Sequence, residues 1–162
     1  ENLGFRDQVT IVGGGHVALA LSRVLATLDV HLTVLDDRAD LNTFEQNAYA
    51  HVRRRVSYAA IGPEVLEGPR QYVIIMTVGY RTDAVVLRQL LGHQLAYLGL
   101  MGSAAKVATL RRELLAEGYA ESQLAHLHAP IGLPIHSRTP EEIAISIAAE
   151  LIRARNAPAG SW

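Results

Sequence analysis

The sequence predicts an α/β fold in which helices cover both faces of a doubly wound, mostly parallel sheet. Two observations support this prediction. Short runs of β-branched and aliphatic residues alternate along the chain with segments whose apolar residues recur at helical spacing. The first run, residues 9–12, leads through three glycines into a helical pattern, which is the order of elements in a βαβ unit.

Length and composition narrow the class of protein. With 162 residues, 49% of them hydrophobic and 19% charged, the chain is expected to form one globular domain (residues 1–162) with an ordered core over about residues 8–155. The net charge of −1 gives no electrostatic reason to expect nucleic acid or a membrane surface as a partner. No cysteine is present, which excludes thiolate chemistry and agrees with a cytoplasmic location.

The first strand, helix and second strand have the plainest pattern. Residues 9–12 are apolar, mostly β-branched and followed by glycines, as expected of a buried parallel strand. The helix is indicated by apolar residues at helical spacing, namely Val17, Leu21, Val24 and Leu28. Residues 31–35 return to strand character and stop at Asp36, which completes a unit with a right-handed crossover.

The alternation continues through the rest of the chain. Further strands are predicted over residues 52–56, 72–76 and 95–100. Further helices are predicted over residues 41–50, 82–91 and 104–117. Gly118 stands where a glycine commonly ends a helix.

The last helix has the clearest start signal. Thr139 is placed to cap it, Pro140 fits its first turn, and Glu142 completes a capping box. Its apolar seam, formed by Ile143, Ile147 and Leu151, fits either the core or the contact face of a homodimer. Residues 157–162 are predicted to be a frayed tail.

The glycine turn formed by Gly13, Gly14 and Gly15 is the strongest candidate binding site. With Ala18 it follows the G-x-G-x-x-A pattern, in which the glycines allow a tight turn and close approach of a pyrophosphate to a helix N-terminus. Asp36 follows about 20 residues later, where a carboxylate can accept hydrogen bonds from a ribose. The alternative is a tight turn that binds nothing.

Three neighbours of the glycine turn are also candidate ligand contacts. His16, followed by Val17, either contacts a phosphate and moves a proton, or hydrogen-bonds a neighbouring loop. Arg38 either contacts a 2′-phosphate or pairs with Asp37 or Asp40. Because Asp36 disfavours a 2′-phosphate, the pattern leaves NAD and NADP both open as ligands.

Loops after the later strands supply further candidates. Thr77 and Gly79 follow the central strand and should open onto the same crevice as the glycine turn. Asp83 either contributes to that crevice or only complements the dipole of the next helix. A second anion site is predicted from three residues, Gly102, Ser103 and Lys106, although Ser103 also suits a helix cap.

The segment around Pro130 and Gly132 is rigid and apolar, which suggests a loop that covers the crevice or packs on a partner. His126 and His128 can share the face of a strand, but two imidazoles without a third ligand make a poor metal site. We therefore predict no metal bound by the protein alone.

Six sequence blocks, in order, resemble the C-terminal Rossmann-like domain of xanthine dehydrogenase accessory factors, the XdhC/CoxI family. The resemblance covers roughly residues 8–155. The blocks are residues 13–18, 36–38, 77–83, 97–106, 129–133 and 139–150. Two places depart from the family pattern: Val78 and Tyr80 stand where histidines are common, and residues 136–138 replace a loop that usually contains glycine.

The resemblance implies an accessory protein that binds the molybdenum cofactor (molybdopterin) and assists its insertion into a molybdenum hydroxylase such as xanthine dehydrogenase. Catalysis by the domain itself is not implied, and no catalytic residue is assigned. The family's separate N-terminal domain has no counterpart within these residues. Two alternatives from the glycine pattern and Asp36 are an NAD(P)-dependent oxidoreductase, for which no acid–base constellation is evident, and a nucleotide-sensing regulatory module.

Overall fold

The computed structural model of the protein describes residues 6–157. Its strands are β1 (Asp7–Val12), β2 (Val30–Asp36), β3 (Val52–Arg55), β4 (Gly68–Ile75), β5 (Leu95–Leu100) and β6 (Leu127–His128). Its α-helices are α1 (His16–Leu25), α2 (Asn42–Glu45), α3 (Tyr80–Leu90), α4 (Ala104–Ala116), α5 (Glu121–Ala125) and α6 (Pro140–Asn156). Two short 3₁₀ turns, Tyr58–Ala60 and Gly62–Glu64, precede β4.

The sheet confirms the predicted doubly wound fold. The strand order is β3-β2-β1-β4-β5-β6, and every neighbouring pair is parallel. The chain winds outward from β1 to β3, returns to the other side of β1 and winds outward again to β6. In such sheets a crevice opens at the carboxyl ends of the strands where the winding reverses, here between β1 and β4.

Alternate residues of the central strands point into two hydrophobic layers, one on each face of the sheet. Ile11 and Ile74 point into a layer that packs beneath α1 and α6, together with Leu21. Val12 and Ile75 point to the opposite face, beneath α3 and α4. Because both faces are covered, the buried stretches of the central strands are mostly apolar, which explains the runs of apolar residues in the sequence.

The helix predicted over residues 41–50 is much shorter, since α2 covers only Asn42–Glu45. Asn47 provides the reason. Its buried side chain donates to Ser22 Oγ at 2.9 Å and accepts from the backbone of Tyr49 and Ala50. A side-chain amide that bonds the following backbone offers it an alternative to helical hydrogen bonds, so the helix ends.

Two more boundaries differ from the prediction. The strand predicted over residues 72–76 begins earlier, at Gly68, with an irregularity in its pairing before Tyr72. His126 and His128 do not share a strand face, as the sequence had suggested they could. Strand β6 contains only Leu127 and His128, while His126 lies at the end of α5. The predicted tail lies almost wholly outside the described residues.

No helix within residues 6–157 is long and apolar enough to cross a bilayer.

Helix α6 begins as predicted. Thr139 Oγ1 accepts a hydrogen bond from the Glu142 backbone at 3.1 Å, and Glu142 Oε1 accepts from the Thr139 backbone at 3.2 Å. Ile147 and Leu151 are fully buried between α6 and the sheet. Core packing, the first of the two predicted roles, therefore accounts for this seam without a dimer.

Removing this cap should weaken the protein measurably. Thr139→Ala is expected to lower the free energy of unfolding by about 1 kcal/mol, because a backbone donor at the start of α6 loses its partner. Urea unfolding followed by circular dichroism measures the change. Ser122→Ala removes a hydroxyl from an exposed residue and should change stability little. Equal effects of the two substitutions would show that the capping box adds nothing.

Candidate functional site

The three residues of the glycine turn have different reasons to be glycine. Gly13 has φ +112°, and a Cβ there would overlap the carbonyl oxygen of Met76. A Cβ on Gly14 would lie 2.8 Å from the ring of Phe44. At Gly15 nothing lies within 4 Å of the Cβ position, so this residue faces open space. The first two glycines are required by the protein's own packing, whereas the space beside Gly15 is open to a ligand.

The start of α1 presents free backbone donors beside that open space. Gly15 caps the helix without any side-chain hydrogen bond, and its carbonyl accepts from Leu19 at 3.0 Å. The amides of His16 and Val17 have no hydrogen-bond partner among residues 6–157. Unpaired N–H groups at a helix N-terminus, together with the helix dipole, favour an anion.

His16 lies at the same place with an exposed side chain. Within the described part of the chain its imidazole makes no hydrogen bond to a neighbouring loop, which was one of the two predicted roles. The other predicted role, contact with a bound phosphate, fits the position of His16 and stays a prediction.

Asp36 differs from its predicted role. Its side chain is completely buried, and Oδ2 accepts from the Gly14 amide and from Arg38 Nη2, each at 2.7 Å. Oδ1 accepts from the backbone and Nε of Arg38, each at 2.9 Å. A carboxylate has about four sites for hydrogen bonds. All of them are used within the protein, so a ribose hydroxyl would have to displace one of these donors.

The same contacts correct the prediction for Arg38 and favour the charged form of Asp36. Arg38 pairs with Asp36 and not with Asp37 or Asp40. Burial alone would raise the pKa of Asp36, but the hydrogen bonds from Arg38 and Gly14 and the positive charge of Arg38 hold that pKa below its ordinary value. Asp36 therefore stabilises the glycine turn as a carboxylate.

A cavity of about 170 Å³, here called the Thr77 cavity, opens at the carboxyl ends of β4 and β5. Six of the residues predicted to contact a ligand line it, namely Thr77, Gly79, Asp83, Gly102, Ser103 and Lys106. The loops after two strands, predicted as separate candidates, thus meet in one place. The glycine turn does not line the cavity but touches its rim, because Gly13 packs on Met76 and Thr77.

Asp83 holds the loop that forms one wall of the Thr77 cavity. Its Oδ1 accepts from the backbone of Thr77 at 2.9 Å and from Thr77 Oγ1 at 2.6 Å. Burial raises the pKa of Asp83, although the hydrogen bonds from Thr77 and the charge of Lys106 oppose the increase. Asp83 thus does more than complement the helix dipole.

Ser103 and Lys106 form the opposite wall. Ser103 caps α4, because its Oγ accepts from the Lys106 backbone at 3.2 Å, which is the predicted alternative to an anion contact. Lys106 is exposed, and within residues 6–157 its ammonium makes no ion pair with Asp83. The cavity therefore contains one positive and one negative side chain that do not neutralise each other by contact.

Pro130 and Gly132 do not line the Thr77 cavity. Gly132 has φ +100°, and a Cβ there would overlap Ser146 Oγ of α6. The neighbouring Ile131 donates its amide to Leu100 O at 3.0 Å and packs in the layer beneath α1 and α6. This segment is therefore explained by its packing, and neither of its predicted roles, as a cover or as a partner surface, is needed to account for it.

Apart from the loop after the central strand, which was expected at the crevice, the sequence reasoning missed the apolar part of the cavity. The six further lining residues are Val78, Tyr80, Leu100, Met101, Val107 and Leu110. A signal existed in α4, where Val107, Leu110 and Leu114 recur at helical spacing on the buried side. Within residues 6–157, no group of three or more histidine, cysteine, aspartate or glutamate side chains is placed to hold a metal ion.

Comparison with known proteins gives one relative over nearly the whole chain and another over about half of it. An "Uncharacterized protein YqeB" of Escherichia coli is 35% identical over 159 residues, which are 97% of this chain and 29% of that protein. A probable xanthine dehydrogenase subunit of Bacillus subtilis is 34% identical over 87 residues, 54% of this chain and 24% of that protein. The chain thus spans less than a third of these curated relatives.

A solved structure and a family model agree with these relatives. The crystal structure of a xanthine dehydrogenase from Bacillus halodurans superposes with a TM-score of 0.80 at 29% identity, over 97% of this chain and 45% of that one. Residues 9–151 match the family model of the XdhC Rossmann domain. This range contains both the glycine turn and the Thr77 cavity, and the chain belongs to the XdhC Rossmann domain family.

Proposed function

We propose that this domain binds the molybdenum cofactor and takes part in its insertion into a xanthine dehydrogenase-type enzyme. Membership of the XdhC family and the names of two relatives support the enzyme partner. The observation that carries the binding proposal is the pair of free amides, His16 and Val17, at the open side of Gly15. The molybdenum cofactor is a pterin with a phosphate, and these donors suit the phosphate.

The Thr77 cavity supports the rest of the proposal by its size and place. Cavities that enclose a whole drug-sized ligand usually measure about 300–1,000 Å³, so 170 Å³ suits a ring and not a complete dinucleotide. Neighbouring strands lie about 4.8 Å apart, which puts the ends of β1 and β5 about 10 Å apart with β4 between them. One ligand can therefore reach both the glycine turn and the cavity.

The position of Asp36 makes a dehydrogenase function the weaker alternative. In a dinucleotide-binding site this carboxylate accepts hydrogen bonds from the ribose. Here its oxygens are taken by Gly14 and Arg38. NAD(P) stays an untested alternative ligand, and titration with NAD and NADP alongside the cofactor compares the two directly.

Substitution of Gly15 tests the binding proposal. Gly15→Val places a branched side chain at the start of α1, at a Cβ position that has no protein atom within 4 Å. We expect the fold to remain intact and the affinity for molybdenum cofactor to fall about tenfold or more, because the phosphate loses close contact with the amides. Anaerobic titration, followed through the fluorescence of the pterin, measures the affinity, and thermal unfolding checks the fold.

Gly92→Val is the matched control, because nothing lies within 4 Å of its Cβ position either and it is remote from the glycine turn. It should bind the cofactor like the unaltered chain. A folded Gly15→Val protein with unchanged affinity would show that the glycine turn is not the phosphate site. Failure of the unaltered chain to bind the cofactor at tens of micromolar would refute the proposed function as a whole.

A further inference from the structure

We propose that the Thr77 cavity recognises the amino-oxo pyrimidine edge that pterins share with guanine, with Asp83 as the acceptor that selects it. This edge presents a ring N–H and an amino group side by side, next to a carbonyl oxygen. The inference rests on the proposed function, since it names the part of the ligand that the same site reads. It assigns Asp83 a role in specificity beyond holding the Thr77 loop.

The two oxygens of Asp83 have different surroundings. Oδ1 accepts both hydrogen bonds from Thr77, which fix the carboxylate in one orientation. Oδ2 makes no hydrogen bond to any of residues 6–157, yet it is not sealed from solvent. The Asp83 residue is only 9% exposed, and the space that it borders is the Thr77 cavity. An acceptor held in this way favours a ligand that brings N–H donors.

The remaining walls complete the match to such a ring. Leu100, Val107 and Leu110 give the cavity an apolar lining suited to a flat heterocycle. Val78 lines the cavity and is 70% exposed, so its side chain is free to cover a ring face. Lys106 shares the cavity with Asp83 without an ion pair, so its ammonium is available to the carbonyl oxygen of the same edge.

Other bases fit this arrangement less well. Adenine presents an amino group beside an unprotonated ring nitrogen, which would face Asp83 Oδ2 as acceptor against acceptor. A ring with a second carbonyl in place of the amino group, as in lumazine, places an oxygen there. An unpaired buried polar atom costs about 1–3 kcal/mol, so these rings should bind more weakly.

The experiment compares ligands that differ only at the amino group. Pterin-6-carboxylate is titrated against lumazine-6-carboxylate, and GMP against IMP, with AMP as a further comparison. We expect the unaltered chain to prefer pterin and GMP over their partners by about tenfold, in line with the selectivity of a well-placed polar pair. The relative affinities of pterin and GMP show which ring system the site prefers.

The Asp83→Asn variant tests directly whether Asp83 selects the ring. The asparagine Oδ1 can still accept both hydrogen bonds from Thr77, while its Nδ2 replaces Oδ2 and turns the acceptor at the cavity into a donor. The preference for pterin over lumazine should therefore reverse. Asp37→Asn, the same change at an exposed neighbouring strand end, should leave the preference unaltered.

The outcomes separate this inference from the proposed function. Equal binding of pterin and lumazine, no binding of any ring, or an unchanged preference in a folded Asp83→Asn protein would overturn the role of Asp83. If the cofactor binds in a Gly15-dependent manner while this discrimination is absent, the ring assignment fails alone. If pterin-6-carboxylate binds selectively and the complete cofactor does not bind, the ring assignment stands and the proposed function fails.

Discussion

Replacing Asp36 by alanine is expected to lower the free energy of unfolding by about 2–3 kcal/mol at neutral pH, because the Gly14 amide and the partly exposed Arg38 lose a buried anionic partner. The carboxylate is completely buried and accepts four hydrogen bonds, two at each oxygen. It joins the end of β2 to the glycine turn after β1. Urea unfolding at pH 7 measures the loss.

The pH dependence of stability provides an independent measurement on the same residue. The pKa of Asp36 in the folded chain lies below its ordinary value of 3.8, so the folded state binds this proton less readily than the unfolded state. Its contribution to stability is therefore fully present above that ordinary value and is lost as the pH falls through the lower, folded pKa. Asp36→Asn should remove this part of the acid sensitivity.

Asp37→Ala is the matched control for Asp36. Asp37 is the next residue and is exposed, and its hydrogen bond with Arg55 uses the backbone carbonyl, which alanine keeps. Its replacement should change the free energy of unfolding by less than about 0.5 kcal/mol. Similar losses in both variants would contradict the assigned role of Asp36.

Gly13→Ala is expected to destabilise the chain by about 3 kcal/mol or more, or to prevent folding. The residue has φ +112°, which L side chains rarely adopt, and its Cβ would overlap the carbonyl oxygen of Met76. That oxygen belongs to the backbone next to β4, so it cannot move aside as a flexible side chain would. Thermal or urea unfolding measures the effect.

The comparison within the glycine turn makes the prediction specific. Gly15→Ala adds the same methyl group two residues away, where the backbone φ is −76° and no atom lies within 4 Å of the new carbon. Its stability should stay within about 0.5 kcal/mol of the unaltered chain. A Gly13→Ala protein as stable as Gly15→Ala would show that the close approach of the turn to Met76 is not needed.

The fold could be predicted because its signals are local. Val9, Ile11 and Val12 are apolar because both faces of β1 are covered. The capping box at Thr139 involves residues three positions apart. The prediction failed where a distant partner decided the outcome. The short length of α2 follows from Asn47, whose side chain reaches Ser22 in α1, 25 residues earlier in the chain.

The candidate site was predicted residue by residue but not as an arrangement. Thr77 and Lys106 were placed at the ends of separate strands, and only the pairing of β4 with β5 brings them to one cavity. Arg38 was given the wrong acidic partner. Three aspartates lie within two residues of it in the sequence, and burial, which depends on the assembled sheet, selects Asp36.

The amino-acid sequence by itself determined the doubly wound order of elements, the glycine turn and the start of α6, since periodicity and helix caps act over a few residues. The tertiary structure alone decided which polar groups are already satisfied. It commits Asp36 to the protein and leaves Asp83 Oδ2 and the first amides of α1 open. The physical reason is that a hydrogen bond needs its partner within about 3 Å, and strand pairing and helix packing set that distance.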